Sequence, residues 1–214
     1  MKILYIAASA TLLALSTTIA NAESVNSKTY DLEGFTGVKA SAGISVTFEQ
    51  AANYSVVASF KDADEDDVKI RIDDGVLKVS YKNGTGNNNR KRKIKVAVTA
   101  PDLTLARATS GASLRVGKVN VDDIKLKADS GGSLNISGTC HSAAGRVSSG
   151  GSVNAKALDC KSVEATASSG GSFNGHASDY GQGHGSSGGS IAIYGNPETQ
   201  KKNKSWSGGS VSFP

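Results

Sequence analysis

Six copies of one short phrase constrain how this chain can fold. Ser110-Gly111-Ala112-Ser113-Leu114 returns at 130–134, 149–153, 169–173, 187–191 and 207–211. The opening serines stand 20, 19, 20, 18 and 20 residues apart. A fixed period near 20, with glycine in every copy and β-formers just after it, marks a stacked repeat. Each period predicts one coil of an all-β, right-handed parallel β-helix or solenoid. Regular Ser-Gly coils run from about residue 106, and less regular coils precede them from about residue 30 to 105.

The first half alternates with a period of two, which is the strand signature. Val38 and Ala40, then Ile44, Val46 and Phe48, are candidate inward positions. Tyr54, Val56 and Ala58 continue the pattern, as do Val68, Ile70 and Ile72, then Leu77, Val79 and Tyr81, then Ile94, Val96 and Val98. Asp73-Asp74-Gly75 reads as a tight turn between two such runs. In the repeats, Leu114/Val116, Leu134/Ile136, Ile191/Ile193 and Val211/Phe213 place two apolar residues after each bend, so a coil has at least two strand faces. The glycines supply the positive φ that a sharp bend needs. With aromatics at 6%, a large Phe-rich core is not available, whereas a solenoid needs only a thin apolar stripe per coil.

The N-terminus reads as an export signal over residues 1–22. Lys2 gives a positive start, an apolar run follows to Leu15, and Ala20-Asn21-Ala22 is a small-x-small cleavage site. Cleavage leaves a domain of residues 23–214, with no transmembrane segment in the mature chain. The protein is expected in the periplasm, outside the cell or on its surface. Net charge is +5. Much of it lies in Arg90, Lys91, Arg92 and Lys93, after the turn signals Asn83-Gly84 and Gly86. This run reads as a solvated hairpin tip, or as a contact for anionic glycans, lipid headgroups or nucleic acid. Export and the lack of a nearby aromatic argue against nucleic acid.

Cys140 and Cys160 are one period apart. Equivalent positions on stacked coils lie about 4.8 Å apart, within disulfide reach. A staple between coils is the favoured reading, against two free thiols or a poor metal pair. Asn135, Asn154 and Asn174 follow their turns at the same place, as an amide ladder or a polar binding stripe. Trp206 precedes the last bend, as a cap on the open end or a stacking surface for a sugar ring.

Enzymatic signals are weak. Repeat-half carboxylates do not share one coil position; Asp159 and Asp179 are a period apart and could stack. His176 and His184 fall in one coil, but lone surface histidines explain them better than a metal site. The acidic run at 62–67 lacks EF-hand spacing and reads as a solvated bend. Alternating Gly181, Gly183 and Gly185 lack the helix of a phosphate loop. No catalytic residue, metal or cofactor is assigned.

Several ordered motifs together resemble a known family. They are Gly34-Phe35-Thr36-Gly37-Val38, Ala42-Gly43-Ile44-Ser45-Val46-Thr47-Phe48, Asp74-Gly75-Val76-Leu77-Lys78-Val79, Val98-Thr99-Ala100-Pro101-Asp102-Leu103, the Ser-Gly repeats, and Ile191-Ala192-Ile193-Tyr194-Gly195-Asn196-Pro197. In order and spacing the chain is similar to the "putative auto-transporter adhesin, head GIN domain" family of exported bacterial proteins, over about residues 30–213. The resemblance implies a β-helix-like exported domain with an adhesin role and no agreed catalytic residues. Many members carry Ser-Gly-x-Gly-Asp before the strand, where this chain has Ser-Gly-Gly-Ser, so the acidic stripe is missing and a cation site there is disfavoured. The expectation is a non-enzymatic envelope module presenting a polar face to a glycan or an envelope protein, with no nucleic acid as partner. A polysaccharide-active enzyme and a purely structural envelope component are the alternatives.

Overall fold

The computed structural model describes residues 26–61, 63–82, 93–204 and 208–214, and they are mostly strand. Alternation of apolar and polar side chains is the cause, because successive residues of a strand point to opposite faces. The first strands are β1 (Asn26–Tyr30), β2 (Gly37–Ala40), β3 (Ser45–Gln50), β4 (Ser55–Lys61), β5 (Val68–Asp73), β6 (Val76–Tyr81), β7 (Lys93–Ala100) and β8 (Leu105–Thr109). Their inward residues are those the alternation picks out. Val46, Phe48, Val56, Ala58, Leu77, Val79, Val96 and Val98 are buried, while Ile70 and Ile72 on the outlying β5 are only partly so.

Four long strands follow: β9 (Ser113–Asp129), β10 (Ser133–Val147), β11 (Ser152–Ala167) and β12 (Ser172–Gly185). They stack in parallel, Ser113 beside Ser133, Ser133 beside Ser152 and Ser152 beside Ser172. The last layers are β13 (Ser190–Tyr194), β14 (Thr199–Lys204) and β15 (Ser210–Ser212). Together they form a β-solenoid of about 5 turns with coils of about 20 residues. Pairing within a coil falls into three runs, as in 133–136, 138–140 and 142–147 against β9.

The corner between layers is a two-residue turn. Ser130 and Gly131 both have positive φ, 50° and 74°. Gly132 N–H closes the turn on Asp129 O at 2.9 Å. Positive φ at both central positions is the type I′ geometry. The turns are also bonded to one another. Gly111 N–H donates to Ser130 O at 3.1 Å, Gly131 N–H to Ser149 O at 3.2 Å and Gly150 N–H to Ser169 O at 3.1 Å. Beneath them, Gly43 N–H donates to Ser110 O at 3.0 Å, with Ala42 at φ 59°. Ala42-Gly43 is thus the lowest described member of the same column. The second glycine of each pair serves a different need: a Cβ on Gly151 would lie 2.5 Å from Ala128 O of the layer below.

The less regular first half does not wind in successive coils. β6 lies beside β2, and β7 beside β3, all parallel. β8 and β9 lie on the opposite sides of β2 and β3. The chain therefore lays down the β2–β3 layer, builds the layer beneath it from β6 and β7, then steps past it through 101–104 to reach β8. Leu103 is buried in that step, and Gln50 Nε2 donates to Pro101 O at 2.8 Å. The outermost strands run antiparallel: β4 on β7, β1 on β4 and β5 on β6. Of these pairs β5 and β6 alone are joined by a short connection, which permits only antiparallel pairing. Asp74 and Gly75, at φ 52° and 69°, make the β5–β6 turn.

Two further contacts tie coils together. Cys140 and Cys160 face each other in register, with Cα atoms 4.5 Å apart, and are joined by a disulfide. Asp129, just before a corner, accepts hydrogen bonds from Thr109 and from Arg107 Nη2, the latter at 2.8 Å. Partial burial pushes the Asp129 carboxyl pKa up, but the bonds from Thr109, Arg107 and Ser130 and the Arg107 charge outweigh it and hold it below the usual range. At the far end, Val211 packs over Gly183 and Phe213 over Gly181. Trp206 lies outside the described residues.

Gly151→Ala drives a methyl group into backbone and is expected to cost about 3 kcal/mol. Gly150→Ala meets open space, and its left-handed backbone should cost only about 1 kcal/mol; thermal melts check the order. Thiol labelling of the unfolded, unreduced protein should leave both cysteines unmodified, and reduction should lower stability by about 3 kcal/mol. Labelling of both without reductant would reject the bond. For Asp129, whose folded pKa is depressed, the stabilisation is complete above the unfolded value of about 3.9 and is lost as pH falls through the lower folded value. Asp129→Asn should therefore destabilise by about 1–2 kcal/mol near neutrality, and the difference from the parent should vanish at strongly acidic pH in denaturant titrations.

Candidate functional site

Stacking turns equivalent outward positions into columns, and one column is basic. Arg71 of β5 pairs with Lys78 of β6, and Lys78 with Lys39 of β2. Lys39 pairs with Arg107 of β8, Arg107 with Lys127 of β9, and Lys127 with Arg146 of β10. Thr166, His184 and Asn203 continue the row through β11, β12 and β14. Six consecutive strands thus place a cation at one position, over about 24 Å at the usual strand spacing.

The column is only partly neutralised. Asp73 accepts from Lys78, and Arg71 Nη1 lies 3.4 Å from it. The hydrogen bond from Lys78 and then its charge hold the Asp73 carboxyl below the usual carboxylate range. Arg107 is paired with Asp129. Lys39, Lys127 and Arg146 form no ion pair among the described residues. Burial lowers the Lys39 ammonium pKa, and the like charges of Arg107 and Lys78 lower it further. Cations side by side on neighbouring strands repel, so this row is held in place by the fold rather than favoured by its own contacts.

The surroundings of the row differ on its two sides. Val76, Gly37, Leu105, Lys125 and Ala144 form the next column along the strands on one side. On the other, Ser41 and Ser80 share with Lys39, Lys69, Arg71 and Lys78 a shallow depression of about 450 Å³. A second depression, of about 420 Å³, is lined by Lys125, Lys127, Arg146, Thr166 and His184 together with the carboxylate of Glu164.

Another face carries polar ladders that are uncharged apart from Arg115. Ser45, Ser113, Ser133, Ser152, Ser172, Ser190 and Ser210 stand in register. Beside them run Thr47, Arg115, Asn135, Asn154 and Asn174, with Asn154 Nδ2 donating to Asn135 Oδ1 at 3.4 Å. The asparagines are thus stacked, as the ladder reading holds.

Of the binding residues proposed from sequence, Arg90, Lys91, Arg92 and Trp206 lie outside the described residues. Lys93 opens β7 opposite Lys61, and its side chain also lies outside them. Asp159 does not stack on Asp179. The coil of β12 is shorter than that of β11, so Asp159 meets His176, whose Nδ1 lies 3.3 Å from its Oδ1. His184 sits in the basic column, away from His176. Among the described residues, no three of His, Cys, Asp and Glu gather as metal ligands would.

Sequence reasoning missed the basic column. A signal was present: Lys39, Arg107, Lys127 and Arg146 each stand three residues before the first residue of a corner, at Ala42, Ser110, Ser130 and Ser149. Recognising it required Ala42-Gly43 to be aligned with the later corners. Arg71 and Lys78 join the row only through pairing of β5, β6 and β2.

Known proteins share this architecture. The crystal structure of a putative adhesin from Bacteroides fragilis NCTC 9343 superposes with a TM-score of 0.67 at 18% identity, covering 90% of this chain and 98% of that one. A putative adhesin from Parabacteroides distasonis ATCC 8503 gives a TM-score of 0.51, also at 18% identity, with 90% and 98% covered. At such identity the likeness concerns the fold. The sequence has no match among curated proteins. Residues 34–197, from the segment before β2 to the turn after β13, match the family described as "putative auto-transporter adhesin, head GIN domain". The chain belongs to that family.

Proposed function

We propose that this is an exported, non-enzymatic, adhesin-like module of the cell envelope, in the periplasm or at the surface, that holds a glycan or an envelope protein against its solenoid. The observation that carries this reading is the register. Equivalent side chains recur in columns along the whole stack, so a ligand can be held by many weak contacts rather than in one deep site. Family membership supports an adhesin-like role. The signal pattern at 1–22 and the Cys140–Cys160 disulfide suit an oxidising compartment. Non-enzymatic action is supported by membership of an adhesin-like family; Asp73, Asp129 and Asp159 are engaged by separate neighbours, Lys78, Arg107 and His176, while Asp102, Asp122 and Asp123 share one shallow depression without a histidine or cysteine among its lining.

Arg90 to Lys93 belong to this contact surface in our reading. In the sequence Arg90 to Arg92 fall between β6 and β7, Lys93 opens β7, and β6 carries Lys78 of the basic column. Trp206 is assigned as an aromatic contact or end cap.

The mature chain, residues 23–214, is expected to be retained on an array of envelope polysaccharides and envelope proteins. Replacing Arg90, Lys91, Arg92 and Lys93 with Gln should weaken retention by about threefold to tenfold, since each exposed charge contributes little by itself. A retained polysaccharide should keep its chain length on prolonged incubation. Retention on nothing in the array would refute the adhesin reading, and shortening of the polysaccharide would refute the non-enzymatic half.

A further inference from the structure

We infer that the column Arg71–Lys78–Lys39–Arg107–Lys127–Arg146 is a track for a linear anionic polysaccharide of the polyuronate type, laid along the solenoid axis. This rests on the adhesin reading above and names its ligand class. Three observations point to a linear polyanion. The cations stand in single file on six consecutive strands. Lys39, Lys127 and Arg146 have no ion-pair partner among the described residues. The row is bordered by carboxylates, with Asp129 on one side and Asp73 and Glu164 on the other, and Asp74 and Asp123 stand farther out on that second side.

Those borders favour a narrow chain over a plane of charge. An anionic bilayer pressed on this face would bring headgroups against Asp123, Asp129 and Glu164 as well as against the cations. A single polyuronate chain following the cations meets fewer of them, since Asp73 and Asp129 are already paired with Lys78 and Arg107. The flanks also match the chemistry of a sugar ring. Val76 and Leu105 on one side offer apolar surface to ring C–H groups, and Ser41 and Ser80 on the other offer hydroxyls. Single-stranded nucleic acid is bound through rows of stacking aromatics interleaved with basic residues; the six column positions and their Val76–Ala144 flank hold none, and the depression on the other side has Tyr81 as its one aromatic rather than a row. A polyuronate carries one carboxylate per ring, so its charges recur along a line as the cations do. Each contact is weak and salt-screened, and the row gains affinity by engaging several at once.

The test uses the mature chain and immobilised polygalacturonate, with its fully methyl-esterified form as a neutral probe of the same backbone. Binding is expected to the acid and not to the ester, and to fall steeply with added salt. The variant K39Q/K127Q/R146Q should lose about tenfold or more in affinity. The control K95Q/R115Q/K118Q removes the same charge from other positions and should bind as the parent does. Matching circular dichroism and melting curves establish that both variants are folded. Equal binding of the column variant and the parent overturns the inference. So does equal binding of acid and ester, or tighter binding of single-stranded DNA or phosphatidylglycerol vesicles than of polygalacturonate. The two readings fail separately: envelope retention that survives the column substitutions overturns the track and leaves the adhesin reading standing. A parent chain that envelope components do not retain overturns the adhesin reading, while column-dependent binding of polygalacturonate still supports the track.

Discussion

The stack depends on its corners. At those opened by Ser110, Ser130, Ser149, Ser169 and Ser187 a serine and a glycine take left-handed backbone, reverse the chain and bond to the corner above. From Ser130 onward a second glycine then lets the next layer settle against a carbonyl that a side chain would push away. Serine in that backbone is less favourable than glycine, yet it recurs at 110, 130, 149, 169 and 187. The corner-to-corner hydrogen bonds offset that strain. With the corners aligned, side-chain register over each coil follows, and with it the serine ladder, the asparagine ladder and the basic row.

Between the corners, interior volume is shared across layers. Phe173 is fully buried, and its ring occupies the space where a Cβ of Gly145 or Gly175 would stand. Large and absent side chains thus alternate along the axis and keep the layers at strand spacing. Both ends need protection from edge pairing. β1 exposes Lys28, β5 carries Lys69 and Arg71, and β14 carries Lys201 and Lys202. Charged edge strands of this kind discourage a second chain from extending the sheet.

Much of this was legible in the residues. The Ser-Gly period marks the coils, the alternation marks the inward positions, and the spacing of Cys140 and Cys160 matches one layer. Less visible was the corner at Ala42-Gly43, which lacks the serine and stands 68 positions before the next one. Layer order at the base was hidden too, because local patterns say which face a strand buries but not which strand it will meet. The basic row was illegible for the same reason. Its members come from β2, β5, β6, β8, β9 and β10, and long-range pairing alone brings them into line.

The step of 101–104 past the β2–β3 layer has a consequence for how such a protein is made and how it can change. β2 and β3 are clamped between segments synthesised long after them, so the base cannot close until β9 has emerged. Coils above it add one at a time, each resting on a finished neighbour. Lineages can therefore lengthen or shorten this rod by whole repeats at its distal end, while deletions at the proximal end dismantle the foundation on which every later repeat is laid.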